Sequence, residues 1–365
     1  MKRRAFLSSL AAVPALASFP RLALAQHLPF DPRPGPWRTF EVTTRVEVLK
    51  PAGMTSAWVP LPSVESDYQQ PLGNHWSGNA AEARIVRDGK YGASMLYAAW
   101  GANEPAPVME VTSRFSTRDR ATSFVNANPA LRLDPTAAAF YTEATELLPT
   151  DGIVRKTALE IVQGKKTDVE KARAIYEWIV ENTFRDPKTQ GCGRGDVKVM
   201  LETRYLGGKC ADLNALYVAL ARSVGLPARD VYGIRVAKSN FGYRSLGAGS
   251  EVISKAQHCR AEVFLTGFGW VPVDPADVRK VVLEEKAQPV TLADPVVPPV
   301  RQKLFGAWEM NWLAYNDAHD VKLPGSKGPA IGFLMYPQAE TGGTRLNSLD
   351  PDNFRYRITA REIKA

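Results

Sequence analysis

The sequence has few of the side chains that enzymes commonly use as nucleophiles or metal ligands. Its 365 residues include three cysteines and four histidines. The odd number of cysteines leaves at least one thiol without an intramolecular disulfide partner. The cysteines also lack the paired C-x₂-C spacing of structural zinc sites. We therefore expect no metal ion and no other cofactor.

Long apolar runs and basic clusters are scarce as well. After residue 25 no uncharged apolar stretch is long enough to cross a membrane. No run of lysine and arginine is interleaved with aromatic residues, which disfavours nucleic-acid binding. The formal charge of +8 falls to +4 without the four basic residues of the first 25 positions. We expect no nucleic-acid partner and no membrane insertion after signal cleavage.

The first 25 residues have the pattern of an export signal. Arg3 and Arg4 precede an apolar stretch, and a small-x-small cleavage site ends at Ala25. The pattern resembles a twin-arginine signal, although an ordinary secretory signal would lead to the same destination. We expect residues 1–25 to be a signal peptide and the mature protein to be periplasmic or secreted.

Short β-branched runs separated by glycine, asparagine and proline occupy the chain from residue 37 to 125. The clearest runs are 40–48, 57–62, 83–86, 95–98 and 108–112. No helical pattern separates them, which favours an N-terminal β-sandwich over residues 37–125.

Helical spacing begins in the middle of the chain. A capping box at Thr167 opens one helix, and a second runs from about Cys210 to Gly225. Two strands, about 259–265 and 270–274, then flank a turn and predict a β-hairpin. Helices followed by strands indicate an α+β domain over about 130–290, with residues 291–365 as a C-terminal extension.

Cys210 has the position of a nucleophile. It follows Gly207 and Gly208 at the start of an amphipathic helix. The unpaired N–H groups and the positive dipole end there favour a thiolate. The same N–H groups are able to stabilise an oxyanion that forms on an attacked carbonyl. The alternative is a small buried residue that opens a core helix.

His258 is the best placed histidine to act as the base. The other three are His27 in a proline-rich lead-in, His75 in the β-region and His319 near the C-terminus. His258 opens the first strand of the predicted hairpin, and Asp274 ends the second. Because hairpin strands lie about 5 Å apart, the carboxylate of Asp274 can reach the imidazole. The alternatives are a strand-edge histidine and a turn aspartate.

These residues lie in segments that resemble the transglutaminase-like superfamily. The segments are 208–216 (GKCADLNAL), 220–229 (LARSVGLPAR) and 269–275 (GWVPVDP) with His258 before it. The resemblance covers about residues 130–290. It implies a papain-like α+β core behind the β-sandwich, with Cys210 as nucleophile, His258 as base and Asp274 as orienting acid. Many members have an aromatic residue soon after the histidine; Cys259 and Arg260 stand there instead, which bears on substrate preference.

The resemblance implies acyl transfer or hydrolysis at an amide or peptide bond through a thioester. The substrate is then a peptide, a protein or another amide, and hydrolysis is favoured over cross-linking. Two alternatives remain: a catalytically inactive binding or scaffold module, and a metal site built from the three cysteines and His258.

Neighbouring residues have weaker assignments. Tyr205 and Gly208 are candidates for the oxyanion or substrate site. Cys192 and Cys259 are candidates for a disulfide that would leave Cys210 free. Asp212 and Asn214 lie in the first turn of the Cys210 helix, where a carboxylate suits the helix dipole without a catalytic role.

Overall fold

The computed structural model describes residues 29–364, so the predicted signal peptide lies outside the described residues. The helices are α1 (Pro135–Phe140), α2 (Gly152–Ile161), α3 (Asp168–Asn182), α4 (Val197–Thr203), α5 (Cys210–Ser223), α6 (Pro275–Glu284) and α7 (Val297–Lys303). A single 3₁₀ turn at Arg244–Leu246 lies in the loop before the hairpin.

The strands are β1 (Arg38–Val48), β2 (Thr55–Pro60), β3 (Gln69–Gly78), β4 (Glu82–Arg87), β5 (Ser94–Trp100), β6 (Val108–Thr117), β7 (Arg120–Ala121), β8 (Phe184–Arg185), β9 (Gly207–Gly208), β10 (Ala228–Arg235), β11 (Gln257–Leu265), β12 (Gly269–Val273), β13 (Ala307–Trp308), β14 (Trp312–Asn316), β15 (His319–Val321), β16 (Ile331–Phe333), β17 (Gln338–Thr341), β18 (Thr344–Arg345) and β19 (Phe354–Ile363).

Strands β1 to β6 form two antiparallel sheets together with β17, β18 and β19, in the orders β19-β1-β6-β3 and β18-β17-β2-β5-β4. Their apolar residues meet in a shared core that includes Val46, Val59, Leu96 and Trp100. Alternation of apolar and polar residues along β1 and β6 places one face of each strand against this core. The strands expected between residues 37 and 125 are present.

The second sheet system has the order β12-β11-β10-β14, and all its neighbouring strands are antiparallel. Helix α5 packs against β10 and β11. All 14 residues of α5 are buried, because it is apolar on nearly every face and is covered by α2, α3 and α6. The combination of helices and sheets confirms the predicted α+β class.

The segment predicted as a C-terminal extension contributes strands to both halves of the molecule. Strand β14 borders β10 in the sheet that carries the hairpin, and β17 and β18 extend the sheet of β2. Strand β19 pairs with β1 from Thr39–Ile363 to Val48–Phe354. Residues 307–363 are therefore built into the two sheet systems.

Candidate active site

Cys210 is the first residue of α5, in the position that its helical pattern predicted. Lys209 precedes it as the N-cap, and Gly208 ends β9. The side chain is buried, with 3% of the residue exposed. Two N–H groups near the sulfur are already used, because Ala211 N donates to the carbonyl of Cys192 over 2.9 Å and Lys209 N donates to Asp212. The helix start therefore offers fewer free oxyanion donors than an uncapped terminus would.

His258 and Asp274 meet as the hairpin geometry predicted. His258 lies on β11, and Asp274 follows β12 as the N-cap of α6. His258 Nε2 lies 2.7 Å from Asp274 Oδ2. The imidazole also lies close enough to Cys210 to lower the pKa of its thiol. Because Nε2 is held by the carboxylate, Nδ1 is the ring nitrogen that is left for the sulfur.

The pKa values of the Cys210 thiol and the His258 imidazole are shifted in opposite directions. Hydrogen bonds from Cys192 and Cys259, and then from His258, hold the pKa of Cys210 well below its ordinary value in spite of burial. Burial and Arg235 disfavour protonation of His258, but Asp277 and Asp274 outweigh them and raise its pKa to about 9. A thiolate beside an imidazolium is therefore the favoured state near neutral pH.

All three cysteines of the sequence meet at this site. Each is buried, and each is a free thiol in the described structure. Cys210 and then burial raise the pKa of Cys192, whereas burial and then Cys210 raise the pKa of Cys259. The considered disulfide between Cys192 and Cys259 is not formed in the described structure, where Cys192 Sγ donates to the carbonyl of Gln257 over 3.3 Å.

Asp212 holds the loop that carries Cys192. Its carboxylate accepts hydrogen bonds from the N–H groups of Arg194, Gly195 and Lys209 at 2.9–3.0 Å. A Cβ atom at Gly208 would lie 2.5 Å from the side chain of Asp212, so glycine is required for this approach. Gly208 thus has a packing role beside the nucleophile, and the sequence-based interpretation of Asp212 as a dipole partner missed this tether.

Tyr205 lies elsewhere. Its residue is 54% exposed, and its hydroxyl donates to Asp186 Oδ2 over 2.9 Å. The Tyr205 hydroxyl is therefore engaged by Asp186, whose N–H donates to the carbonyl of Gly208 over 2.9 Å. The oxyanion role of Tyr205 stays a prediction.

Two further residues hold the histidine and its carboxylate. Asn214 donates its amide to the carbonyl of Cys259 over 2.8 Å and approaches Asp274 Oδ1 at 3.4 Å. Trp312 donates its indole N–H to the carbonyl of His258 over 2.9 Å. Sequence analysis missed both roles. The position of Asn214 one turn after Cys210 was an available signal, whereas nothing in the sequence links Trp312 to His258.

The geometry does not favour the metal site considered from the sequence. Among the described residues, the potential ligand atoms that lie within 4.8 Å of one another belong to His258, Asp274 and Asp277, not to the cysteines. Arg235 pairs with Asp277 and Arg260 lies beside Asp274, so cationic side chains already neutralise these carboxylates.

Comparisons with known proteins identify the same region of the chain. The model of the transglutaminase-like superfamily matches residues 155–275, which contain Cys210, His258 and Asp274. A protein of Haemophilus influenzae is 38% identical over 341 residues, with 89% of this chain and 91% of that protein covered. No helix among residues 29–364 is long and apolar enough to span a membrane.

Two solved structures are similar to this chain. A candidate cysteine protease from Cytophaga hutchinsonii has 15% identity and a TM-score of 0.50, and the match covers 90% of this chain and 99% of that one. The periplasmic domain of TgpA from Pseudomonas aeruginosa, solved with ethylmercury, has 18% identity and a TM-score of 0.35, covering 67% of this chain and 73% of that one.

Proposed function

Because the chain belongs to the transglutaminase-like superfamily, we propose that it is a cysteine-dependent enzyme that cleaves amide or peptide bonds through a thioester. Cys210 is the nucleophile, His258 the base and Asp274 the orienting acid. The supporting observation is the 2.7 Å hydrogen bond between His258 and Asp274, with His258 placed so that it lowers the pKa of the Cys210 thiol.

The chemistry follows from this chain of contacts. In the thiolate–imidazolium pair the thiol proton already lies on His258 Nδ1, and the thiolate attacks the carbonyl carbon of the substrate. The imidazolium returns its proton to the departing amine as the C–N bond breaks, which leaves an acyl group on Cys210. Water then attacks the thioester while His258 takes one of its protons, and the thiol and a carboxylic acid are released. A primary amine in place of water would give transamidation.

We propose hydrolysis as the main outcome and a peptide or protein as the substrate. The related fold from Cytophaga hutchinsonii is that of a candidate cysteine protease, which is consistent with this choice. The Arg-Arg pattern and small-x-small site before residue 26 support a periplasmic or secreted location.

The test uses purified mature protein, a peptide mixture and a primary amine, with cleavage, ammonia release and amine incorporation followed by mass spectrometry. We expect cleavage or ammonia release without stable amine incorporation. Cys210→Ala should abolish turnover, whereas His75→Ala, which removes an exposed imidazole on β3, should keep it. Full activity of Cys210→Ala would refute the proposal.

A second candidate function, a binding module without turnover, is favoured by one observation. Cys210 and His258 are each 3% exposed, so a large substrate reaches them only after the covering segments move. Iodoacetamide separates the two functions because it is small and reacts with thiolates. Rapid labelling of Cys210 near neutral pH supports the enzyme, and an unreactive Cys210 supports the binding module.

A further inference from the structure

Two carboxylates approach the same nitrogen of His258. Asp274 Oδ2 lies 2.7 Å from Nε2, and Asp277 Oδ1 lies 3.4 Å from it. Both aspartates come from the first turn of α6, where Asp274 is the N-cap and accepts a hydrogen bond from Asp277 N over 3.0 Å. Because residues three apart lie on the same face of a helix, Asp277 is on the same side of α6 as the N-cap Asp274.

The second carboxylate is fixed from the opposite side by Arg235. On β10, Arg235 Nη2 donates to Asp277 Oδ1 over 2.5 Å, and its Nη1 donates to the carbonyl of Leu246 over 2.5 Å. Arg235 is 3% exposed and Asp277 is 1% exposed. A buried carboxylate with a guanidinium partner and a helix N-terminus beside it remains ionised. Accordingly, Arg235 and His258 hold the pKa of Asp277 well below its ordinary value despite burial.

The pKa of Asp274, the orienting acid of the proposed triad, is shifted in the opposite direction to that of Asp277. Burial and then the charge of Asp277 raise the pKa of Asp274, although His258 and Arg260 oppose this. Asp274 supplies the shorter hydrogen bond, and Asp277, paired with Arg235, supplies a second carboxylate beside Nε2.

We propose that Asp277, held by Arg235, is a second positioning residue for His258, so that the base is oriented by a pair of carboxylates. This inference rests on the proposed cysteine-dependent function. With the Cys210 proton on Nδ1, the Nε2–H of the imidazolium faces both Asp274 Oδ2 and Asp277 Oδ1. No proton leaves Nε2, and the pair stabilises the charged ring until Nδ1 returns its proton to the departing amine.

The charged and titratable groups around this ring come from several elements. They are Cys210 on α5, Arg235 on β10, Arg260 on β11, Asp274, Asp277 and Lys280 on α6, and Tyr176 on α3, with Glu309 beyond Arg260. Loss of the Asp277 charge leaves Arg235 unopposed next to His258. The pKa of His258 should then fall, so the imidazolium beside the thiolate is lost at a lower pH.

The experiment measures the rate of Cys210 alkylation by iodoacetamide against pH, with the modified peptide identified by mass spectrometry. In Asp277→Asn, the basic limb, which reports deprotonation of His258, should move down by about one pH unit, because a carboxylate that raises the pKa of His258 is gone. The matched control is Asp168→Asn, which removes the same charge from the surface start of α3 and should leave the basic limb in place. With a cleavable peptide as substrate, kcat of Asp277→Asn should fall about tenfold while KM stays the same, so kcat/KM falls by the same factor.

The results distinguish the positioning role of Asp277 from the proposed enzymatic function. An unchanged basic limb in folded Asp277→Asn, together with a shifted basic limb in Asp274→Asn, would overturn the proposal. A shifted basic limb without any turnover by the wild-type protein would support the positioning role and count against the enzyme. If Asp277→Asn does not fold, Asp277→Glu keeps the charge but displaces it by one methylene, and a shift of the same sign but smaller size is expected. An unshifted basic limb in a folded Asp277→Glu variant would then overturn the proposal.

Discussion

The indole of Trp312 donates a hydrogen bond to the backbone carbonyl of His258 over 2.9 Å. Trp312 begins β14, a strand of the C-terminal segment, whereas His258 lies on β11. Strand β14 does not pair with β11, because β10 lies between them in the sheet. The side chain therefore reaches across the sheet and ties the C-terminal segment to the histidine.

Trp312→Phe tests this tie, and the chain offers a matched control. Trp308 is also fully buried, but its Nε1 has no hydrogen-bond partner among the residues that the structure describes. Both substitutions remove a similar volume, and only Trp312→Phe removes a hydrogen bond. We expect its free energy of unfolding to fall by about 1 kcal/mol more than that of Trp308→Phe, as measured by urea denaturation. Equal losses would contradict a role for the bond.

Cys192→Ala should make the Cys210 thiol less acidic. The hydrogen bond from Cys192 is the largest of the influences that lower the pKa of Cys210. Its removal should slow alkylation of Cys210 at pH 6 while leaving the rate at pH 9 nearly unchanged. Cys192→Ser keeps a donor at the same place and should restore most of the rate at pH 6. Identical pH profiles of the two variants would show that Cys192 acts by packing alone.

Asp212→Ala should loosen the loop before α5. The carboxylate accepts three backbone N–H groups, and none of them gains a protein partner when it is removed. We expect a loss of about 2–3 kcal/mol in the free energy of unfolding and faster amide exchange at Arg194 and Gly195. Asp212→Asn keeps one acceptor oxygen and should lose less. Unaltered exchange in Asp212→Ala would contradict the tether.

Glu309 should make stability depend on pH. Burial raises its pKa to about 7, against opposing hydrogen bonds from Ser239 and Asn240. Because the folded-state pKa lies above the unfolded one, the folded protein binds the extra proton. Its stabilising contribution is complete below about pH 4.5 and is lost as pH rises through about 7.

Glu309→Gln should remove this dependence. We expect the variant and the wild type to have similar free energies of unfolding at pH 4.5, and the variant to gain up to about 3 kcal/mol relative to the wild type at pH 8. Urea denaturation at four pH values between these limits is the measurement. A constant difference between the two proteins across the range would refute the assignment.

Local patterns in the sequence predicted much of the fold and of the candidate site. Strands β1, β2, β4, β5 and β6, helix α5 and the β11–β12 hairpin all have local signals: short β-branched runs, helical spacing with a terminal glycine, and a glycine turn, whereas β3 was not predicted. The proximity of His258 and Asp274 followed from the hairpin. These features depend on residues that are near one another in the chain.

Contacts between distant segments were not predictable in the same way. The alternation in 355–358 indicates a strand but does not identify β1 as its partner, since any open sheet edge is compatible with it. Asp277 has the sequence signature of an ordinary helix start, and its approach to His258 depends on the rotation of α6. The Cys192 thiol reaches Cys210 through a loop whose path is set by Asp212, which the helix pattern alone does not reveal.

The pairing of β1 with β19 also sets the order in which a newly synthesised chain is able to fold. Until the ribosome has added residue 363, β1 has β6 as its partner on one edge and an open edge on the other. Strand β14 is likewise made long after β10. A nascent chain therefore cannot complete the sheet of β1 until β19 has been made, and until then it exposes an unpaired strand edge that invites aggregation. A chain that stops within β19 would have its candidate active-site residues but an unfinished first sheet.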